Sequence, residues 1–209
     1  YPAPDGSEFS AENTFHSVYY HKLGQPQSED ELVFRNDDEP NRYHFAYATE
    51  DNRHLILNSS TGTDGNNLHI KDLTDPNADW QVVVDGFNTR SNIVDHMDGR
   101  LLLMTDIDAP KYRLVAVDPA NPSDRSTWTD VIPESKHLLE GVSTAGGQLF
   151  ATHLKNACNA VTRNDADGSN PREIALPNAT GSTGGFGGKK DATELFYAFT
   201  SFTYPTSIF

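Results

Sequence analysis

Apolar residues in this chain come in short blocks of two to four. Examples are Val18-Tyr19-Tyr20, Leu32-Val33-Phe34, Leu55-Ile56-Leu57, Val82-Val83-Val84, Leu101-Leu102-Leu103, Leu114-Val115-Ala116-Val117 and Leu195-Phe196-Tyr197. The blocks are rich in β-branched and aromatic side chains, which suit a pleated surface. Between them stand clusters of Asp, Asn, Gly, Pro and Ser, the residues that turn a chain. No stretch long enough for a helix carries a sustained 3.6-residue period. The pattern predicts an all-β protein of short strands and tight turns.

The strands also repeat as a set. A polar turn followed by an apolar run occurs at Asp51-Asn52-Arg53-His54-Leu55-Ile56-Leu57 and at Asp98-Gly99-Arg100-Leu101-Leu102-Leu103. It returns at Gly146-Gly147-Gln148-Leu149-Phe150 and at Thr193-Glu194-Leu195-Phe196-Tyr197. Arg53, Arg100, Gln148 and Glu194 open the runs, at intervals of 47, 48 and 46 residues. A second marker, an Asp closing a strand, falls at Asp72, Asp118 and Asp165, with intervals of 46 and 47. A period in the mid-forties with four strands per unit is the signature of a β-propeller blade. The predicted units are a half blade over 10–37, blades over about 44–86, 91–133 and 138–176, and a half blade over 182–209. In the last, strands are expected near 183–188 and 194–201, with the Gly184–Gly188 run innermost. This is about four blades' worth. It is either an arc of a larger ring or a closed four-blade ring in which 17–35 pairs with 182–201.

Composition narrows the function. Sixteen Lys and Arg against thirty Asp and Glu give a formal net charge of −14 over 209 residues. Such a surface repels phosphate backbones and anionic headgroups, so neither nucleic acid nor a membrane is an expected partner. No apolar run approaches the length of a membrane-spanning helix. Cys158 is the single cysteine, so no internal disulfide can form. The chain opens Tyr1-Pro-Ala-Pro-Asp5 without an initiator Met, as a piece of something longer would. The compartment stays open between cytoplasm and bacterial periplasm.

Several segments resemble the propeller domain of the prolyl oligopeptidase family of serine peptidases. They are Val18-Tyr-Tyr-His-Lys-Leu-Gly-Gln-Pro-Gln-Ser-Glu-Asp30, Asp38-Glu-Pro40, Ser59-Ser-Thr-Gly-Thr-Asp64 and Phe196-Tyr-Ala-Phe-Thr-Ser-Phe-Thr-Tyr-Pro205. The resemblance runs in order across essentially the whole chain. It implies the middle of a seven-bladed propeller that caps an α/β-hydrolase catalytic domain of the same parent protein. Together they would cleave short proline-containing peptides while excluding folded proteins. The sequence departs from the family locally. Asn52 stands where a turn Gly is usual, His54 where Tyr is usual, and Gln25 where Thr is usual. No hydrolase domain follows Phe209 within this sequence, so the chain is expected to be inert by itself. The rival expectation is a stand-alone small propeller that binds a protein or peptide.

No residue is expected to be catalytic, and no metal or cofactor is implied. The string nearest to a Gly-x-Ser-x-Gly nucleophile elbow is Gly141-Val-Ser143-Thr-Ala145. It carries Ala where the second Gly belongs and lies between strands rather than before a helix. Asn164-Asp165-Ala-Asp167-Gly168-Ser169-Asn170 approaches a calcium loop but lacks the flanking acids. Gly188-Lys189-Lys190 lacks the other residues of a phosphate loop. Asn58-Ser-Ser60 and Asn178-Ala-Thr180 match glycosylation acceptors, which matter only in a glycosylating compartment. Cys158 reads as a buried small residue, and the three strand-closing Asp as turn caps. The resemblance leaves one binding expectation. Tyr43 and Thr63 fall where the family lines the pocket for the third residue upstream of the cut, and Ser60 falls where some members place Arg. An aromatic wall and two hydroxyls would suit a peptide. The alternative is that Tyr43 packs in its blade and the hydroxyls serve turns.

Overall fold

The computed structural model describes residues 12–209, so residues 10 and 11 of the first predicted half blade lie outside the described residues. Seventeen strands form five antiparallel sheets among the described residues. β1 (Val18–Tyr20) and β2 (Glu31–Phe34) form a two-stranded ladder. The first four-stranded meander is β3 (Tyr43–Ala48), β4 (His54–Ser60), β5 (Asn67–Asp72) and β6 (Gln81–Val84). The second is β7 (Ser91–Met97), β8 (Arg100–Thr105), β9 (Arg113–Val117) and β10 (Thr129–Ile132). The third is β11 (Leu138–Ala145), β12 (Gln148–Lys155), β13 (Cys158–Asn164) and β14 (Arg172–Glu173). β15 (Ser182–Gly184), β16 (Ala198–Ser201) and β17 (Tyr204–Ile208) close the chain as a three-stranded sheet. No described helix is long and apolar enough to cross a membrane.

The sheets stack face to face, as propeller blades do, and the apolar blocks explain why. Successive side chains of a strand point to opposite faces. Leu101 and Leu103 therefore join Ile56, Ile70 and Val84 in the layer between the first two meanders. Leu102, between them in sequence, enters the next layer with Leu139, Leu149 and Ala151. Val115 and Leu114 divide in the same way. A sheet covered on both faces needs unbroken apolar runs instead of alternation. A third layer holds Phe150 and Val161 against Phe186. Polar ties cross the stack as well: the Tyr47 hydroxyl donates to Asn92 Oδ1 at 2.7 Å and the Ile93 carbonyl at 2.9 Å.

The hairpins follow from turn chemistry. Asp98-Gly99 and Gly146-Gly147 carry positive φ at both central positions, the two-residue turn that matches strand twist. Asn52 takes the left-handed conformation at φ 56, so the departure from Gly is tolerated. The strand-closing Asp do cap turns: Asp72 Oδ1 accepts from the Thr74 amide at 2.8 Å, and Asp118 Oδ1 from the Ala120 amide at 2.9 Å.

Two expectations change. The last sheet has three strands, and Leu195-Phe196-Tyr197 precedes β16 instead of opening it. Of the glycine run expected as an innermost strand, only Gly184 lies in β15. The rest leaves for the neighbouring sheet, where the Gly188 amide donates to the Thr144 carbonyl and the Gly146 amide to the Lys189 carbonyl, both at 2.9 Å. A bare backbone permits that approach, since a Cβ on Gly188 would sit 3.1 Å from that of Ala145. The closed four-blade ring required 17–35 to pair with 182–201. Among the described residues, β1 and β2 form a sheet separate from β15, β16 and β17.

Candidate functional site

Loops gather at two ends of the sheets. One end holds the tight turns β3–β4, β7–β8 and β11–β12. The other holds the β4–β5 loop over 61–66, the β6–β7 loop over 85–90 and the β8–β9 loop over 106–112. Tyr43 opens β3 directly opposite Ser60, the last residue of β4, so both lie at this second end. Ser60 and Thr63 line one open cleft of about 340 Å³, together with Asn66, Arg90, Asn92 and Tyr112. Tyr43 is 41% exposed and stands beside Ser60 across the ladder, outside that lining. Its ring lies 5.9 Å from the His16 ring, and His16 Nδ1 accepts from the His44 amide at 2.8 Å.

The cleft wall is set by backbone and buried polar pairs. Gly65 has φ +71, and a Cβ there would meet the Phe87 carbonyl oxygen at 1.8 Å, so the β4–β5 loop can lie on the β6–β7 loop only through glycine. Asn66 is buried and exchanges two hydrogen bonds with Ser91: its Nδ2 donates to the Ser91 carbonyl, and the Ser91 amide donates to its Oδ1, each at 2.9 Å. The Ser91 and Thr105 hydroxyls bond at 2.7 Å. Arg90 is the cation of the cleft. The nearby Tyr112 hydroxyl first, and Asp64 second, hold its pKa above the ordinary value. Arg90 Nη2 lies 2.7 Å from Asp64 Oδ1, with both side chains in solvent. No sequence motif marked Arg90; its place follows from the loop that ends in β7.

This cleft offers hydroxyls, amides, an aromatic and one guanidinium. Such groups can line and orient a peptide but supply no nucleophile with a base. Ser143, on β11, packs beside Gly187, and among the described residues it bonds to no histidine or carboxylate. The calcium-like loop spends its acids internally: Asp165 Oδ2 accepts from Asn170 Nδ2 at 2.7 Å and Asp167 Oδ1 from the Ser169 amide at 2.9 Å. Bonds from Ser169 hold the Asp167 pKa below its usual value. Among the described residues no group of three His, Cys, Asp or Glu is placed to hold a metal. Lys190 is committed to protein carbonyl and carboxylate groups instead of an open phosphate cradle. Cys158 is half-buried, more open than expected, because it begins β13 beside surface clefts. Asn178 sits in an exposed turn, whereas Asn58 pairs within β4.

Comparison with known proteins places these features. The family described as prolyl oligopeptidase, N-terminal beta-propeller domain, matches residues 1–209. Prolyl endopeptidases of Elizabethkingia meningoseptica and Elizabethkingia miricola are each 42% identical over 205 residues, covering 98% of this chain and 28% of theirs. A solved prolyl endopeptidase superposes with a TM-score of 0.84 at 32% identity, over 94% of this chain and 29% of its own. Prolyl oligopeptidase B from Galerina marginata, bound to a 35mer substrate, shares the fold with a TM-score of 0.89 at 24% identity, over 100% of this chain and 29% of its own. The chain thus spans under a third of the length of the curated relatives it matches.

Proposed function

The chain belongs to the prolyl oligopeptidase N-terminal β-propeller family, and from that premise we propose that it is the gating part of a proline-specific serine oligopeptidase. The blades over 44–86, 91–133 and 138–176, with the half blades flanking them, would form an arc of the propeller. An α/β-hydrolase domain in the same polypeptide would supply the chemistry. The stacked sheets would then shield that site from water and admit only short peptides, with opening between domains letting substrate in. The observation that carries this reading is the family match across all 209 residues.

In this reading Tyr43, Ser60 and Thr63 contact the third residue upstream of the cut. The Tyr43 ring gives an apolar wall, and the two hydroxyls each give a hydrogen bond. The test is Tyr43→Ala in the polypeptide that carries this chain. KM for longer proline peptides should rise several-fold, while a minimal Gly-Pro substrate is turned over as before. Equal losses on both substrates would instead show that Tyr43 serves packing. A purified 209-residue chain should not turn over a fluorogenic Gly-Pro substrate. Turnover blocked by a serine-directed reagent would overturn the division of labour.

A further inference from the structure

At the turn end, one lysine touches two neighbouring sheets from a third direction. Lys190 lies in the segment 185–192, after β15. Its ammonium donates to the His96 carbonyl on β7 and lies 3.5 Å from Asp95 Oδ2. It is also 3.9 Å from Asp51 Oδ2 and 4.0 Å from Glu50 Oε2, in the β3–β4 turn. Asp95 is itself an anchor. Its Oδ1 accepts from the Glu50 amide at 3.1 Å, and its Oδ2 accepts from the Thr144 hydroxyl on β11 at 3.3 Å. The segment is held to β11 by the two backbone bonds at Thr144 and Gly146 described above. The first, second and third meanders thus meet at one point.

Two histidines stand within this knot. His96 Nδ1 donates to Asp51 Oδ2 at 2.7 Å. His96 Nε2 and His54 Nδ1 are both buried without a hydrogen-bond partner. The two rings meet edge to face at 4.7 Å. His54 faces Arg53 and Asp51 from its own turn, Asp72 from β5 and His96 from β7. His96 faces Asp51, His54 and Lys190.

We propose that Lys190 and the His54–His96 pair form an acid-released clasp: with the His54 ring neutral, Lys190 pins segment 185–192 across the turn ends of three sheets, and a proton on His54 loosens it. A proton added to the buried His54 ring finds no hydrogen-bond acceptor at Nδ1. A charge on His54 adds a cation facing Asp51, where Lys190 already stands 3.9 Å from Oδ2. Of the competing cations, Lys190 has the route to solvent, since its side chain is more exposed than that of His96. Burial first, and the neighbouring His96 second, hold the His54 pKa below its ordinary value, so the closed clasp resists protonation until the medium turns acid.

The amides of Gly146 and Gly188 report on the clasp, because both bond across it. Hydrogen exchange, corrected for the intrinsic effect of pH, is measured in the polypeptide that carries this chain. Protection at the two amides should fall about tenfold or more between pH 7.5 and 5.5. His54→Phe, which keeps a ring and removes the titration, should hold protection at both pH values; His54→Tyr serves the same purpose if Phe is not tolerated. Lys190→Met should lack the protection at both pH values, and Lys190→Arg should restore it at pH 7.5. Protection that does not change with pH in the unmodified protein, or a drop that persists without the His54 imidazole, overturns the proposal. The histidine comparison decides the matter even if the methionine variant fails to fold.

Discussion

The two ends of the stacked sheets use charge in opposite ways. At the turn end the Asp95 carboxylate is 2% exposed and the His96 ring 8%, and both serve more than one element. At the cleft end the Arg90 and Asp64 side chains are 55% and 84% exposed and make a simple pair. A buried ion is costly to leave unpaired, whereas an exposed pair exchanges protein partners for water at little cost. One end is therefore locked by electrostatics. The other is shaped by backbone geometry and leaves its charged pair in solvent.

Asp95→Ala should break the locked end most severely. It strips partners from the Glu50 amide, the Thr144 hydroxyl and Lys190 at once. Removing one member of a buried pair typically costs about 3–5 kcal/mol. Chemical denaturation reads this directly, and a loss under about 1 kcal/mol would mean that water already does the work of Asp95.

How far the sequence reveals these contacts depends on the repeat. Glu50 meets Asp95 and Asp51 meets His96 at separations of 45 residues, and Asp95 meets Thr144 at 49. Those are single periods, so the mid-forties spacing already places such residues at equivalent positions on adjacent blades. Lys190 reaches His96 across 94 residues, two periods. A repeat alone does not foretell that contact, because it depends on the glycine run leaving its own sheet. Tyr43 and Ser60 were named through the family resemblance, and the β3–β4 register is what sets them side by side. Arg90 was not, since its partner Asp64 lies 26 residues away in an irregular loop.

The cleft end should instead be sensitive to backbone change. Gly65→Ala puts a side chain at φ +71 and against the Phe87 carbonyl. The left-handed conformation alone costs on the order of 1–3 kcal/mol, and the clash adds to it. On the proposed reading of the cleft, KM for longer peptides in the polypeptide that carries this chain should rise along with the loss of stability. Unaltered KM in Gly65→Ala would separate the cleft from peptide binding.

Acid should act through histidines along the whole length of the sheets: His54 stands at the turn end, whereas His153 lies across from Leu139, at the far end of β11. Burial holds the imidazoles of His54, His69 and His153 below their ordinary pKa, with His96 adding to the effect at His54, Asp85 opposing it at His69 and His137 adding to it at His153. Unfolding restores the usual value near 6.5, so the unfolded chain binds protons first as pH falls. Their stabilisation is full above about pH 6.5 and is lost as pH drops through the window beneath it. Burial pushes the Asp51 pKa up, but bonds from Thr49, His96 and Arg53, with Lys190 nearby, outweigh it and hold the group well below the carboxylate range. Bonds from Thr74 lower that of Asp72. These carboxylates therefore stay ionised between pH 7.5 and 5.5, and that interval isolates the histidines. Tm should fall across it; a level or rising Tm would contradict the burial argument.

The smallest effect belongs to the exposed pair. A double-mutant cycle with Arg90→Ala and Asp64→Ala should give a small coupling that fades in 1 M salt, where screening acts over roughly 3 Å. A coupling that is large and indifferent to salt would mean the cleft closes over the pair in solution, and the contrast between the two ends would disappear.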